Sequence, residues 1–190
     1  MVVAVNGSGF VRQSNGWNTG LLNYDSKYEK TSVTPLVLVE GTIKRDFSGM
    51  NVKSNHYTYG LKRDGWFGYY SSGTNSSVII NDGVLNTFGF NPVLVDNGDI
   101  KVTADAKNIR QGLCQIDKNN FVFISDVYDQ GRTGFSYLEM AKYMVSLGCK
   151  IGFNLDGGGS VSLIVKSANS AQKIITGNTR DIADIIYFHE

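Results

Sequence analysis

Twice in this sequence a short apolar run stops on an Asx-Gly pair: Val78-Ile-Ile80 meets Asn81-Asp-Gly83, and Pro92-Val-Leu-Val95 meets Asp96-Asn-Gly98. Asn, Asp and Gly tolerate the positive φ angles that a tight hairpin loop demands, and such short runs cannot furnish the long periodic face of a helix. Both segments therefore read as strands feeding hairpin turns. Residues 36–46 give the same pattern of strand, turn and strand, as do residues 57–70 around Arg63-Asp-Gly65. Between Ile109 and Val127, Asp117-Lys-Asn-Asn120 separates two more strands, and Asp126 falls at the end of the second. Val2–Val5 reads as a buried opening strand, ended by Asn6-Gly-Ser-Gly9, a turn that exposes Asn6; residues 182–188 read as the last strand. Residues 11–30, 47–56 and 71–77 are polar and read as irregular connections.

One segment has the marks of a helix. Ser136 and Glu139 fit a capping box, Leu138, Ala141, Met144 and Val145 share a face, and Gly148 stands where a C-terminal glycine belongs, which predicts a helix over about 137–147. The helix leads into Lys150-Ile-Gly-Phe-Asn-Leu155, a strand, and residues 160–165 return as the next one. The expected fold class is α+β: a strand-rich mixed sheet with hairpins and one well-marked helix packed on it.

A chain of 190 residues, 42% of them hydrophobic, suffices for one domain with a real core, so residues 1–190 are read as a single domain. Twenty-two Gly and only two Pro suit glycine turns between strands rather than a disordered chain. The formal charge of +1 supplies no overall field for a nucleic-acid polymer or an anionic membrane, so any anionic ligand must be held locally. No apolar run approaches the roughly 20 residues of a membrane span, and the start lacks the basic region and cleavage pattern of a signal peptide. A soluble protein is expected, cytoplasmic or part of a phage or surface assembly. Cys114 and Cys149 have no CxxC partners and read as buried thiols. His56 and His189 have no metal-ligand spacing.

The segment Asn154-Leu-Asp-Gly-Gly-Gly-Ser160 exceeds the needs of an ordinary hairpin, for which Asp-Gly or one Gly suffices. Residues without Cβ let a backbone come close to a ligand, and successive N–H groups can form a concave nest for an anion. Asp156 adds a carboxylate at the same strand end, and Ser160 a hydroxyl. Spacing alone leaves two readings open, a glycine turn and a ligand site.

The segment resembles the signature of the phosphodiester glycosidase domain family, and further pieces fall in that family's order along nearly the whole chain. Ala4-Val-Asn-Gly7 with Phe10 is similar to its opening strand and Asn-Gly-Gly-aromatic-Phe turn, with Ser8 and Gly9 departing from the pattern. Pro92–Val95 with Gly98, Ile109-Arg110 with Gly112, Asp126 and Arg132, Gly134 with Leu138-Glu-Met-Ala141, and Asn178-Thr-Arg180 resemble later pieces. Family domains usually carry further strands before the Asn-Gly motif, so the chain is either a trimmed version or lacks a segment.

The resemblance implies a hydrolase that cleaves the bond between an anomeric carbon and a phosphate oxygen, releasing a sugar and a phosphomonoester. Asp156, Asp126 and Glu139 are then the catalytic candidates, although the capping box and a turn start also explain Glu139 and Asp126. Asn6, Gly7, Arg110, Gly157, Gly158, Gly159, Ser160 and Arg180 are the candidates for substrate contacts, the two guanidinium groups because their fork matches phosphate oxygens. The expected partner is a small or polymeric sugar phosphodiester. No cofactor is expected and no metal ligand is assigned, with a divalent cation near Asp156 left open. Two rivals stand beside the enzyme: a non-catalytic module binding a glycosyl phosphate or nucleotide, as in a phage tail or cell-surface protein, and a structural component of an assembly.

Overall fold

The computed structural model describes residues 2–8, 12–13, 16–17, 36–46, 56–71, 73–126, 134–166, 173–176 and 185–188. Among them the strands are β1 (Val2–Asn6), β2 (Arg12–Gln13), β3 (Gly16–Trp17), β4 (Leu36–Val39), β5 (Thr42–Asp46), β6 (Tyr57–Lys62), β7 (Phe67–Tyr70) and β8 (Val84–Phe90). They continue as β9 (Val93–Asp96), β10 (Asp99–Ile100), β11 (Gln111–Gln115), β12 (Phe121–Ser125), β13 (Ile151–Leu155), β14 (Ser162–Lys166), β15 (Lys173–Thr176) and β16 (Ile185–Phe188). Two α-helices join them, the short α1 (Ser76–Asn81) and the longer α2 (Tyr137–Ser146). The fold is α+β and rich in strands, as expected.

The largest sheet has the order β10-β9-β13-β11-β12, a second has the order β15-β14-β1-β16, and a third is β7-β6-β8. Every pairing between these strands is antiparallel. The β9–β10 turn carries Asn97 and Gly98 at φ 52° and 84°, the two positive angles that an Asx-Gly hairpin supplies at little cost. Gln115 joins two sheets from a fully buried position: its Oε1 accepts from Phe67 N at 2.9 Å and its Nε2 donates to Gly65 O at 2.7 Å. A buried amide with both ends satisfied fixes how the β6–β7 hairpin lies against β11, because an apolar residue there would orphan two backbone groups.

The five-stranded sheet separates two cores. On one face Leu113, Phe153 and Leu155 meet Val5, Tyr59, Phe67, Phe88 and Val93, and the Phe153 ring stacks on Tyr59 with centroids 4.1 Å apart. On the other, Leu94, Val95, Cys114 and Ile124 pack under Met140, Ala141 and Met144 of α2. Close approach of α2 depends on two glycines of the sheet. A Cβ at Gly112 would stand 2.6 Å from Met144 Cε, and one at Gly152 would stand 2.7 Å from Met144 Sδ. These spacings set how closely α2 lies on the sheet.

Three expectations are corrected. Val78-Ile-Ile80 lies in α1 and not in a strand: the Asn75 side chain accepts from Ser77 N, the helix buries Ile79, and Val78 and Ile80 stay exposed. Three apolar residues fit one helical turn as well as a strand, and the N-cap decides between them. The strand in this region is β8, directly after Gly83, whose Asn86 and Thr87 interrupt the apolar pattern. The buried face of α2 centres on Met140, Ala141 and Met144, with Leu138 and Val145 at its margins. Cys114 and Cys149 are buried but joined as a disulfide with Cα atoms 5.6 Å apart, because the turn after α2 returns Cys149 beside β11. Arg132 and Arg180 lie outside the described residues.

The predicted capping box is present. Ser136 Oγ accepts from Glu139 N at 3.0 Å, Glu139 Oε2 accepts from Ser136 N at 2.8 Å, and Lys107 Nζ approaches Glu139 Oε1 at 2.9 Å. The Ser136 amide first, then Lys107, hold the Glu139 carboxyl below its ordinary range. A carboxyl depressed in the folded state adds stability above its unfolded pKa and loses it as pH falls through the folded value. Ser136→Ala is expected to lower unfolding free energy by about 1 kcal/mol. Glu139→Gln is expected to flatten the acid limb of the melting-temperature profile; thermal unfolding from neutral to acid pH measures both.

Candidate active site

Four strand ends of the five-stranded sheet collect at one edge: Asn91-Pro92 before β9, Asp156 after β13, Arg110 before β11 and Asp126 after β12. The antiparallel register requires this, since Gln111 pairs with both Leu155 and Ser125. Asp126 N donates to Arg110 O at 2.9 Å, continuing the ladder past the strand end. The end of β1 and the start of α2 reach the same edge.

The acid-glycine turn is fastened there by Asn6, whose side chain is buried. Asn6 Nδ2 donates to Asp156 O at 2.7 Å, Asn6 Oδ1 accepts from Ser162 N at 2.9 Å, and Asp156 N donates to Gly7 O at 3.0 Å. Asn6 thus grips the turn on both sides of its glycines. The expectation that Asn6 is exposed is corrected, and both ends of its amide are engaged within the protein. Ser8 Oγ accepts from Gly89 N at 2.9 Å, so the departure at Ser8 ties the end of β1 to β8.

Between the Asn6 contacts the glycines run against the start of β11. Gly157 N donates to Asp156 Oδ1 at 3.0 Å and Gly158 N to Ile109 O at 2.8 Å, which occupies two amides of the expected anion nest. Residues Gly158–Ser160 form a 3-10 turn, with Gly158 at φ +57°. A Cβ at Gly157 would stand 2.7 Å from Ile109 O and 3.6 Å from Arg110 Cα, so only glycine allows this approach. Ser160 is fully buried beneath the turn. Next to Asp156, Asn154 Nδ2 donates to Asn91 O at 2.8 Å, while its Oδ1 is buried with no hydrogen-bond partner among the described residues.

Arg110 is only 8% exposed, and no carboxylate of the described residues lies within ion-pair distance of it. Its Nε donates to Phe135 O at 2.8 Å and its Nη2 to Ala106 O at 2.9 Å. Its guanidinium carbon lies 3.5 Å from the centre of the Tyr137 ring. A buried charge ordinarily has a counter-ion, and this one has carbonyl dipoles and a ring face. Of the five guanidinium N–H donors, both on Nη1 and the second on Nη2 remain without a protein acceptor among the described residues.

The structure therefore gathers Asn6, Gly7, Arg110, Asp126, Asp156, Gly157, Gly158, Gly159 and Ser160 at one edge. Glu139 is adjacent, at the start of α2, with both oxygens in the cap and the Lys107 ion pair. Sequence reasoning did not single out Tyr137 or the anchoring carbonyls of Ala106 and Phe135; an aromatic at the first helical position carries no local signal of an arginine beneath it. Among the described residues no three His, Cys, Asp or Glu converge as metal ligands, and no helix is long and apolar enough to cross a membrane.

A family model for phosphodiester glycosidase matches residues 1–189. The chain belongs to the phosphodiester glycosidase family. Among solved structures it is similar to the zebrafish N-acetylglucosamine-1-phosphodiester alpha-N-acetylglucosaminidase catalytic domain, which is auto-inhibited by its pro-peptide. The two share 16% identity and a TM-score of 0.61, over 94% of this chain and 63% of that one. A Synechocystis hypothetical protein matches at 13% identity and a TM-score of 0.48, over 85% of this chain and 46% of that one. No curated protein sequence matches. Membership in the phosphodiester glycosidase family accords with the motif order in the sequence, and the zebrafish domain supports the fold.

Asn6→Ala leaves Ser162 N and Asp156 O, both partly buried, without their Asn6 partner, and is expected to cost on the order of 1–3 kcal/mol. A denaturant titration checks this; a midpoint equal to that of the native chain would mean that the Asn6 contacts do not hold the turn.

Proposed function

We propose that the protein hydrolyses the bond between the anomeric carbon and the phosphate oxygen of a glycosyl-1-phosphodiester, with Asp156 acting at the sugar and Arg110 on the phosphate. The observation that carries this reading is the buried guanidinium of Arg110, which lacks a carboxylate partner among the described residues, on a residue whose backbone runs alongside Gly157 of the acid-glycine turn. Such a group favours an anion arriving from outside the protein, and its paired donors match phosphate oxygens. Family membership supports the same bond.

The chemistry needs little beyond these groups. Cleavage of the carbon–oxygen bond builds positive charge at the anomeric carbon and negative charge on the departing phosphate. A carboxylate opposes the first and a guanidinium the second, provided both are fixed in advance. The Asp156 backbone is fixed at N by Gly7 O and at O by Asn6, so its carboxylate starts from an anchored Cα. Water supplies its oxygen to the anomeric carbon and its protons to the two products. The phosphomonoester leaves as an anion, so the leaving oxygen requires less protonation than an alkoxide would, and one carboxylate can suffice. Asp126 remains a candidate second carboxylate, while Glu139 is left out of the proposal because the cap engages its Oε2 and Lys107 its Oε1.

The test is incubation with a panel of glycosyl-1-phosphodiesters, measuring released reducing sugar. Asp156→Asn is expected to fold normally and lose roughly a hundredfold or more in rate. A near-native rate in that variant would overturn the role of Asp156, and tight binding with no turnover by the native chain would favour a recognition module.

A further inference from the structure

The clamp around Arg110 has a face as well as edges. Phe135 O receives Nε, Ala106 O receives Nη2, and the Tyr137 ring covers the guanidinium plane with its centre 3.5 Å from the central carbon. Phe135, Ser136 and Tyr137 are consecutive, so two of these contacts come from one short segment. That segment is immobilised at both ends. Phe135 and Asn108 exchange N–H···O bonds of 3.0 Å in each direction, and Ser136 anchors the capping box of α2.

We propose that Tyr137 is a positioning residue, which holds the Arg110 guanidinium ready for a phosphate group while leaving its charge available. The proposal rests on the phosphodiester reading above. Two carbonyl bonds fix the guanidinium along its edge, and an aromatic ring packed on its face adds the missing restraint against tilting. The choice of an aromatic matters electrostatically. A carboxylate neighbour would stabilise the cation by neutralising it, and an arriving phosphate would then have to displace that partner. A ring face and two carbonyl dipoles stabilise the cation without cancelling its charge. Among the described residues, Nη1 and the second Nη2 hydrogen are the donors left for an anion. Placement at the first residue of α2 ties the ring to the capped helix terminus and not to a loop.

The probe is inorganic phosphate, titrated calorimetrically into the full chain, with thermal midpoints recorded for every variant. Arg110→Gln is expected to weaken binding by roughly a hundredfold or more. Tyr137→Phe keeps the ring and is expected to retain native affinity, whereas Tyr137→Leu should weaken it by about tenfold with its fold intact. Should the Leu variant not fold, Tyr137→Met, unbranched and closer in bulk, is read in its place. In an Arg110→Gln background restored to measurable binding by higher phosphate, Tyr137→Leu is expected to add no further loss. Native affinity in Tyr137→Leu, alongside loss in Arg110→Gln, would overturn the proposal and leave the anion role of Arg110 standing. An equal loss from Tyr137→Leu in both backgrounds would also overturn it, because the ring would then act independently of Arg110. Absence of phosphate binding by the native chain, or native binding in Arg110→Gln, would overturn the phosphodiester reading of Arg110 and the proposal with it.

Discussion

The amide of Asn6 connects the parts on which everything else at this edge depends. One side chain at the end of β1 holds the turn after β13 before its glycines and again after them, through Asp156 O and Ser162 N. The four-stranded sheet thereby fixes the end of the five-stranded one. Glycine turns are entropically costly to order, and three successive glycines would otherwise have no reason to prefer one conformation. Two bonds from a buried, rigid strand end supply that reason, and the anchored backbone in turn gives the Asp156 carboxylate a fixed origin.

Against this anchored turn, the start of β11 brings up the opposite charge. Gly157 permits an approach that a Cβ would block, since that atom would stand 2.7 Å from Ile109 O. The result is a carboxylate-bearing turn next to a buried arginine that has no carboxylate partner among the described residues. Interiors rarely tolerate a lone charge, and this one is held by carbonyls and an aromatic ring. Such an arrangement costs folding stability and is suited to binding an anion.

Much of this was legible in the sequence, for identifiable reasons. The β9–β10 hairpin follows from Asn97-Gly98, and α2 from Ser136, Glu139 and Gly148, because turn and cap chemistry acts over a few residues. The Asp-Gly-Gly-Gly-Ser segment announced a turn at a strand end. What stayed hidden depends on contacts across long separations. Asn6 and Asp156 are 150 positions apart, and nothing local to Asn6 foretells that both ends of its amide serve a distant turn. Cys114 and Cys149 read as thiols because their meeting depends on how α2 returns the chain to β11. Val78-Ile-Ile80 failed in the other direction, as three apolar residues satisfy either period and Asn75 settles the matter locally. Tyr137 carried no signal at all, since its role exists only where it meets Arg110.

The most direct test of the central claim, that an anion at Arg110 and a sugar at Asp156 occupy one edge together, is a crystal structure of the Asp156→Asn protein with an uncleaved glycosyl-1-phosphodiester. The account predicts phosphate oxygens on the Nη1–Nη2 edge of Arg110, with the anomeric carbon turned toward residue 156. A phosphate bound elsewhere, with that edge of Arg110 still bare, would contradict it.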